Sequence, residues 1–273
     1  MASHALPTSP ARASTSLAGR TIVITRPAGT GSPLARRVRA LGGIPLLLPG
    51  LSLRAAPHPE QARVQWLGAQ HDDVLIFTSP AAVRHALALA PCATHAAVIA
   101  VGRGTARALQ RGGIVAQSPA TQQNSEGVLQ LPSMQSLHGL RVALITAPGG
   151  RGLLQEQIAA RGGLLREVHV YGRGAPRLNR RHIEAVLQLP ADACVLLSSG
   201  EAIQHLLAKL PAQAQQRLCN ATAVVSSPRI AEQAQLAGFG HLFMAASATQ
   251  NDLLSAAIEV CSRPRHEASG AGC

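Results

Sequence analysis

The chain has 273 residues, enough for two domains with real cores, and its 47% hydrophobic content fits a water-soluble globular protein. No apolar run approaches the 18 or so residues of a membrane span, so no membrane insertion is expected. The formal charge is +12, from 25 Lys+Arg against 13 Asp+Glu, with Lys209 the one lysine; yet the arginines are scattered and aromatics are 2% of the chain, which argues against nucleic acid as partner. Two readings of the arginine excess stay open. It is a compositional bias that also favours Ala, Gly and Pro, or it serves a polyanionic ligand whose carboxylates match guanidinium forks.

Residues 1–19 are rich in Ala, Ser, Thr and Pro, lack the apolar centre of a signal peptide, and are expected to form a disordered tail. Thr21–Ile24 reads as a strand. Leu34, Val38 and Leu41 recur at helical spacing, and Gly42-Gly43 should close that helix in a left-handed cap. Further strands are expected at Val74–Phe77, Val98–Val101, Val142–Ile145, Val195–Leu197 and Ala223–Val225. These runs are apolar on both faces, so helices must cover both sides of a parallel sheet. Ile44–Ala56 and Arg166–Pro176 break the rhythm with extended, Pro- or Gly-bearing sequence and are the candidate hinges. Residues 263–273 resemble the N-terminal tail. The five cysteines form no Cys-x-x-Cys pair and the 11 histidines are dispersed, so free thiols in a reducing compartment and no metal site are expected.

The chain also repeats itself. Val23-Ile24-Thr25-Arg26-Pro27, ending in Leu41-Gly42-Gly43, returns as Leu144-Ile145-Thr146-Ala147-Pro148, ending in Arg161-Gly162-Gly163. Leu75-Ile76-Phe77-Thr78-Ser79 returns as Val195-Leu196-Leu197-Ser198-Ser199. Val101-Gly102 with Thr105-Ala106 returns as Ser226-Ser227 with Ile230-Ala231, and Asn124-Ser125-Glu126 as Gln250-Asn251-Asp252. Four segments in the same order imply two similar domain-sized lobes, and two lobes make a cleft. Strand alternating with helix points to doubly wound, flavodoxin-like α/β lobes.

In such sheets ligands lie beyond the carboxyl ends of the strands. Those ends are Thr25-Arg26, Thr78-Ser79, Gly102-Arg103, Thr146-Ala147, Ser198-Ser199 and Ser226-Ser227. Ser and Thr there are either ordinary helix N-caps or part of an anion-binding rim of free amides. Gly102-Arg103-Gly104-Thr105-Ala106-Arg107 lacks the third glycine of a dinucleotide loop, and no phosphate loop or nucleophile elbow is present. Tyr171, the single tyrosine, either packs the second hinge or points its phenol into the cleft as a weak acid.

These motifs in this order, over roughly residues 20–260, resemble the uroporphyrinogen-III synthase family. Thr25-Arg26-Pro27, Leu48-Pro49, Phe77-Thr78-Ser79 with Ala82-Val83, Val101-Gly102 with Thr105-Ala106, Ser125-Glu126-Gly127, Val170-Tyr171, and Ser227 with Arg229-Ile230-Ala231 carry the resemblance. Two segments depart from the pattern: Ala147-Pro148-Gly149-Gly150-Arg151 keeps only the Gly-Arg half of its loop, and Leu197-Ser198-Ser199 stands where Phe-Thr-Ser is usual. The resemblance implies two lobes, 20–44 plus 173–262 and 52–168, joined by a two-stranded β-ladder of 45–51 and 169–172. It implies a monomeric, cytoplasmic, cofactor-independent lyase that closes hydroxymethylbilane, a linear tetrapyrrole with eight carboxylates, while inverting the last pyrrole. Tyr171 is then the candidate general acid, and Arg26, Thr78, Ser79, Gly102, Arg103, Thr105, Ser198, Ser199, Ser227 and Arg229 the candidate substrate contacts. The competing expectation is a two-lobed binding module that closes on an anionic metabolite without chemistry.

Overall fold

The computed structural model describes residues 16–149 and 152–262. The expected C-terminal tail, Cys273, most of the N-terminal tail and the Gly150-Arg151 pair lie outside them. In chain order the first half forms β1 (Thr21–Ile24), α1 (Ser32–Ala40), β2 (Ile44–Leu47), β3 (Ser52–Ala55), α2 (Pro59–Ala69), β4 (Val74–Phe77), α3 (Pro80–Leu89), β5 (Ala97–Ala100), α4 (Arg103–Arg111) and α5 (Ser125–Leu129). The second half forms β6 (Arg141–Thr146), α6 (Leu153–Ala160), β7 (Leu164–His169), β8 (Tyr171–Gly174), α7 (Arg180–Leu187), β9 (Cys194–Leu197), α8 (Gly200–Lys209), α9 (Ala212–Cys219), β10 (Thr222–Val225), α10 (Pro228–Leu236), β11 (Leu242–Met244) and α11 (Gln250–Ser262).

The chain divides into two compact units, one of residues up to Ser52 and from Ala175 onward, the other Leu53–Gly174. The first contains a parallel sheet in the order β11-β10-β9-β1-β2, the second a parallel sheet in the order β5-β4-β6-β7. Thr21–Ile24 therefore shares a sheet with β9 and β10, and Val142–Ile145 with β4 and β5, as the family resemblance implied; the repeat alone would equally allow two unswapped lobes. The repeat is visible in the strand order itself. β10-β9-β1-β2 and β5-β4-β6-β7 are built from equivalent segments, and each sheet combines one half of each repeat. A bridge between Ile99 and Gln117 stands beside β5 where β11 stands beside β10.

Both faces of each sheet are covered, for the reason the apolar runs suggested. Along β4, Leu75 and Phe77 pack with Trp66, Ala82 and Leu109 from α2, α3 and α4, while Val74 and Ile76 pack with Val128, Leu154 and Ile158 from α5 and α6. Along β9, Val195 and Leu197 meet α8 and α10, while Cys194 and Leu196 meet Leu34, Val38 and Leu254 of α1 and α11. Successive strand side chains point to opposite faces, so an uninterrupted apolar run feeds two cores. Trp66 sets its ring edge-on to Phe77 at 5.8 Å and donates from Nε1 to Ala90 O at 3.0 Å, satisfying its one polar atom.

Gly42 ends α1 at φ 80° and Gly162 ends α6 at φ 75°, each in the left-handed region. Gly43 N–H reaches Val38 O at 2.9 Å and Gly163 N–H reaches Ile158 O at 3.0 Å, the longer closure of a Schellman motif. The two expected glycine stops are thus one structural device used twice.

Three boundaries differ from expectation. Residues 45–51 do not supply a ladder strand, because Ile44–Leu47 pairs in parallel with β1 as the edge of the first sheet. The ladder is formed by β3 and β8, Ser52–Ala55 and Tyr171–Gly174. Likewise His169 still belongs to β7, which pairs with β6, so the return strand starts at Tyr171. At the N-terminus, Leu17 is not part of a loose tail. It is fully buried, and its N–H donates to Leu41 O at 2.9 Å. Its apolar side chain closes the end of the α1 core, where a Cβ on Gly43 would come within 3.1 Å of Leu17 Cβ.

Candidate functional site

In the second unit, the carboxyl ends of β4, β5 and β6 bring Thr78, Ser79, Gly102 and Thr146 to one rim. Thr78 Oγ1 donates within this rim, with Ile145 O at 3.2 Å and Thr146 Oγ1 at 3.1 Å. Ser79 is the N-cap of α3, and its Oγ accepts from Ala82 N–H at 3.0 Å. The same Oγ lies 3.3 Å from Tyr171 Oη. Tyr171 itself is 5% exposed, packed in the core under α3, with His85 stacked on its ring at 5.3 Å and 15°. Burial, and next the neighbouring Arg84, lower the His85 pKa and keep that ring neutral. The packing reading of Tyr171 therefore holds for its ring, and its hydroxyl sits at the N-terminal end of α3.

Gly102 caps α4 from an extended conformation, and a Cβ there would press on Gln123 at 3.3 Å. Gln123 Oε1 accepts from Arg103 N–H at 2.9 Å, and the Arg103 guanidinium donates to Ala120 O at 3.1 Å. Arg103 thus anchors the 120–123 segment while remaining exposed. Thr105 is 3% exposed, so its hydroxyl is not open to a ligand in this state.

The first unit repeats the pattern. Thr25 is buried and donates to Leu196 O at 2.6 Å. Ser199 caps α8 by accepting from Ala202 N–H at 3.3 Å, and Ser227 caps α10 by accepting from Ile230 N–H at 3.4 Å. Ser198 is half-buried beside Ser199, and Arg229 is exposed in the first turn of α10. Arg26 is the exception. Its Nη2 donates to Ala248 O at 2.9 Å, but Nε is buried and finds no partner among the described residues. Burial lowers its pKa.

These geometries revise the expected rim of free amides. Each capping hydroxyl already satisfies the amide three residues on. Pro80 and Pro228 occupy the first position of α3 and α10 and have no N–H to offer. Glu201 in the first turn of α8 disfavours an anion there. Side chains, above all arginines, must therefore contribute more of any anion binding than the sequence suggested. Among the described residues no group of three His, Cys, Asp or Glu could hold a metal ion, and no helix is long and apolar enough to cross a membrane. Cys92, Cys194, Cys219 and Cys261 are free thiols.

Comparison with known proteins bears on the whole of this architecture. A family model described as uroporphyrinogen-III synthase HemD matches residues 32–255. The chain belongs to the uroporphyrinogen-III synthase family. It is 30% identical over 250 residues to the uroporphyrinogen-III synthase of Salmonella typhimurium (strain LT2), covering 86% of this chain and 98% of that one. It is 28% identical over 246 residues to the enzyme of that name from Escherichia coli (strain K12), with the same coverage of 86% and 98%. The crystal structure of uroporphyrinogen-III synthetase from Helicobacter pylori 26695 superposes with a TM-score of 0.59 at 17% identity, covering 88% of this chain and 99% of that one, and shows the shared fold. Within the synthase family match lie all the candidate contacts except Arg26, which precedes it. Sequence reasoning selected Arg26 for its place after β1. It had no signal for Arg177 and His182, which the fold brings to the same cavity as Arg26.

Proposed function

We propose that this protein is a lyase that closes hydroxymethylbilane to uroporphyrinogen III, with loss of water and inversion of the last pyrrole ring. The observation that carries the reading is the synthase-family match over 32–255, which reaches into both compact units and covers the carboxyl-end rims of their sheets except at β1. It disfavours the non-catalytic binding module.

The reaction asks little nucleophilic chemistry of the protein. The terminal hydroxymethyl C–O bond breaks as the oxygen takes a proton and leaves as water. The electron-rich pyrroles stabilise the resulting azafulvene cation. The substituted carbon of the last ring attacks it, forming a C–C bond and a spiro intermediate. The original methylene bond of that ring then breaks, and the ring's free carbon closes onto the released methylene, losing its proton. The protein's task is to hold the bilane folded so that this path beats direct closure to the symmetric isomer.

Tyr171 is the proposed proton donor. Ser79 Oγ already accepts from Ala82 N–H, so its own hydrogen can be donated to Tyr171 Oη, leaving the phenolic proton free for the departing oxygen. General acid catalysis of this kind contributes roughly 10²–10⁴-fold. Thr78, Ser79, Gly102, Ser198, Ser199 and Ser227 are proposed to shape the binding surface, and Arg26, Arg103 and Arg229 to meet substrate carboxylates. Thr105 is left a structural role. The same reading takes the enzyme to be a cofactor-independent monomer of the cytoplasm, and its net charge of +12 would steer an octacarboxylate towards it. The test is to supply freshly made bilane and measure the isomer ratio of the product.

A further inference from the structure

Arg26 is a half-buried cation whose Nε is shut away from water without a partner among the described residues. It lines a cavity of about 280 Å³ in the first unit, together with Gly31, Ser32, Leu47, Arg177 and His182. Among the described residues no acidic side chain lines this cavity. A buried guanidinium N–H without an acceptor is costly, and a second arginine lining the same cavity adds like-charge repulsion. An anion would relieve both.

The backbone around the cavity points the same way. Gly31 starts α1 with no capping side chain and no acid in the first turn. A Cβ at Gly31 would lie 2.8 Å from Leu47 Cδ2, so this N-terminus sits against β2, and a Ser or Asp cap there would have to displace the Leu47 side chain. The first turn of α7 is Arg180, Arg181 and His182, with no acid, although acids are the stabilising choice at the positive end of a helix. His182 is oriented by a capping box: Asn179 N–H donates to its Nδ1 at 3.2 Å, while Asn179 Oδ1 accepts from His182 N–H at 3.2 Å. With Nδ1 the acceptor, the neutral ring carries its hydrogen on Nε2 and has one donor left for a ligand.

We propose that this cavity is a subsite for one carboxylate arm of the tetrapyrrole, held by Arg26, Arg177 and His182. The proposal rests on the synthase activity proposed above. At about 280 Å³ the cavity falls just below the roughly 300–1,000 Å³ of pockets that enclose drug-sized ligands, so it suits one acetate or propionate arm and not a four-ring body. Arg177 is exposed and Arg26 half-buried, so the arm would enter past the first and bind against the second.

The test compares Arg177→Gln and Arg26→Gln with Arg36→Gln, an exposed arginine of α1 away from the cavity. Thermal unfolding shows that each is folded, and Arg177→Gln keeps the test available should Arg26→Gln fail to fold. Initial rates of asymmetric product against bilane concentration should give a KM raised about tenfold for Arg177→Gln, with kcat within twofold, as loss of one charge-assisted hydrogen-bonding partner implies. Equilibrium binding of a porphyrin octacarboxylate should weaken about tenfold in both cavity variants and less than twofold in Arg36→Gln. Unchanged KM and Kd in a folded Arg177→Gln enzyme that still makes the asymmetric isomer would overturn the subsite and leave the synthase reading standing. A parent that makes no asymmetric isomer would overturn the synthase reading and, with it, the assignment of the cavity to its substrate. Acetate or inorganic phosphate displacing the porphyrin at micromolar concentration would assign the cavity to a free small anion and also overturn the proposal.

Discussion

Replacing Tyr171 by Phe removes one hydroxyl and little else. Among the described residues that hydroxyl's hydrogen-bond partner is Ser79 Oγ at 3.3 Å, and the ring keeps its stack on His85 and its place in the core. If the role is packing, the loss is one long neutral hydrogen bond, about 1 kcal/mol or less. In a unit of this size that moves the melting point by about 2–8 °C and leaves turnover nearly unchanged. If the phenol donates the proton, kcat should fall roughly 100-fold or more with the melting point shifted by the same small amount. Ser79→Ala separates the two further. It removes the cap on Ala82 N–H, costing about 1 kcal/mol, and also the hydrogen-bond partner of Tyr171 Oη. It should lower the rate several-fold in the parent and have little further effect on rate in the Tyr171→Phe background, because the two act through one proton path. The assay is the initial rate of the asymmetric isomer, corrected for spontaneous closure. A folded Tyr171→Phe enzyme within threefold of the parent would refute the proton-donor role.

Gly50→Ala should destabilise the first unit by about 1–3 kcal/mol, since its Cβ would lie 2.4 Å from Ala202 Cβ and 2.9 Å from Ala202 Cα; urea unfolding checks this. Leu17→Ala should cost about 2–5 kcal/mol by the same measurement, whereas a loose tail residue would cost nothing. His85 is held neutral by burial and by Arg84, so its folded pKa lies below its unfolded value. Its contribution to stability is present above about pH 6.5 and is lost as the pH falls below that, because the unfolded chain then binds the extra proton. Urea midpoints at pH 7.5 and 5 should differ less in His85→Gln than in the parent. Cys194 is buried and its thiol pKa is pushed up by burial and next by Cys261, so it should resist alkylation in the native state and react on unfolding; mass spectrometry reads this directly.

The strand ends were legible because each depends on a local, repeated pattern: a four-residue apolar run, a hydroxyl or glycine, and a helix ending in Gly-Gly; the exchange of half-repeats between sheets came from the family resemblance, since the repeat alone allows two unswapped lobes. The ladder was misplaced for an equally local reason. Ile44-Pro45-Leu46-Leu47 carries a proline and leaves Ile44 and Leu47 exposed, which reads as a hinge, although Pro is tolerated at a sheet edge and this segment is one. Ser52-Leu53-Arg54-Ala55, the true ladder strand, alternates over four residues only and has no β-branched or aromatic residue to announce it. At the site, sequence position chose the serines and threonines but could not show that their hydroxyls were already engaged with backbone. Position also chose Arg26, but its orphaned Nε and the approach of Arg177 and His182 are products of chain crossing that no local pattern encodes.

The most direct test of the account is the isomer composition of the product when fresh hydroxymethylbilane meets the purified protein, oxidised to porphyrins and separated by chromatography. The account predicts that the asymmetric isomer dominates, formed well ahead of the uncatalysed closure and lost when the protein is heat-denatured. Product that is only the symmetric isomer, appearing at the rate seen in buffer or more slowly as the protein withholds bound bilane, would contradict it.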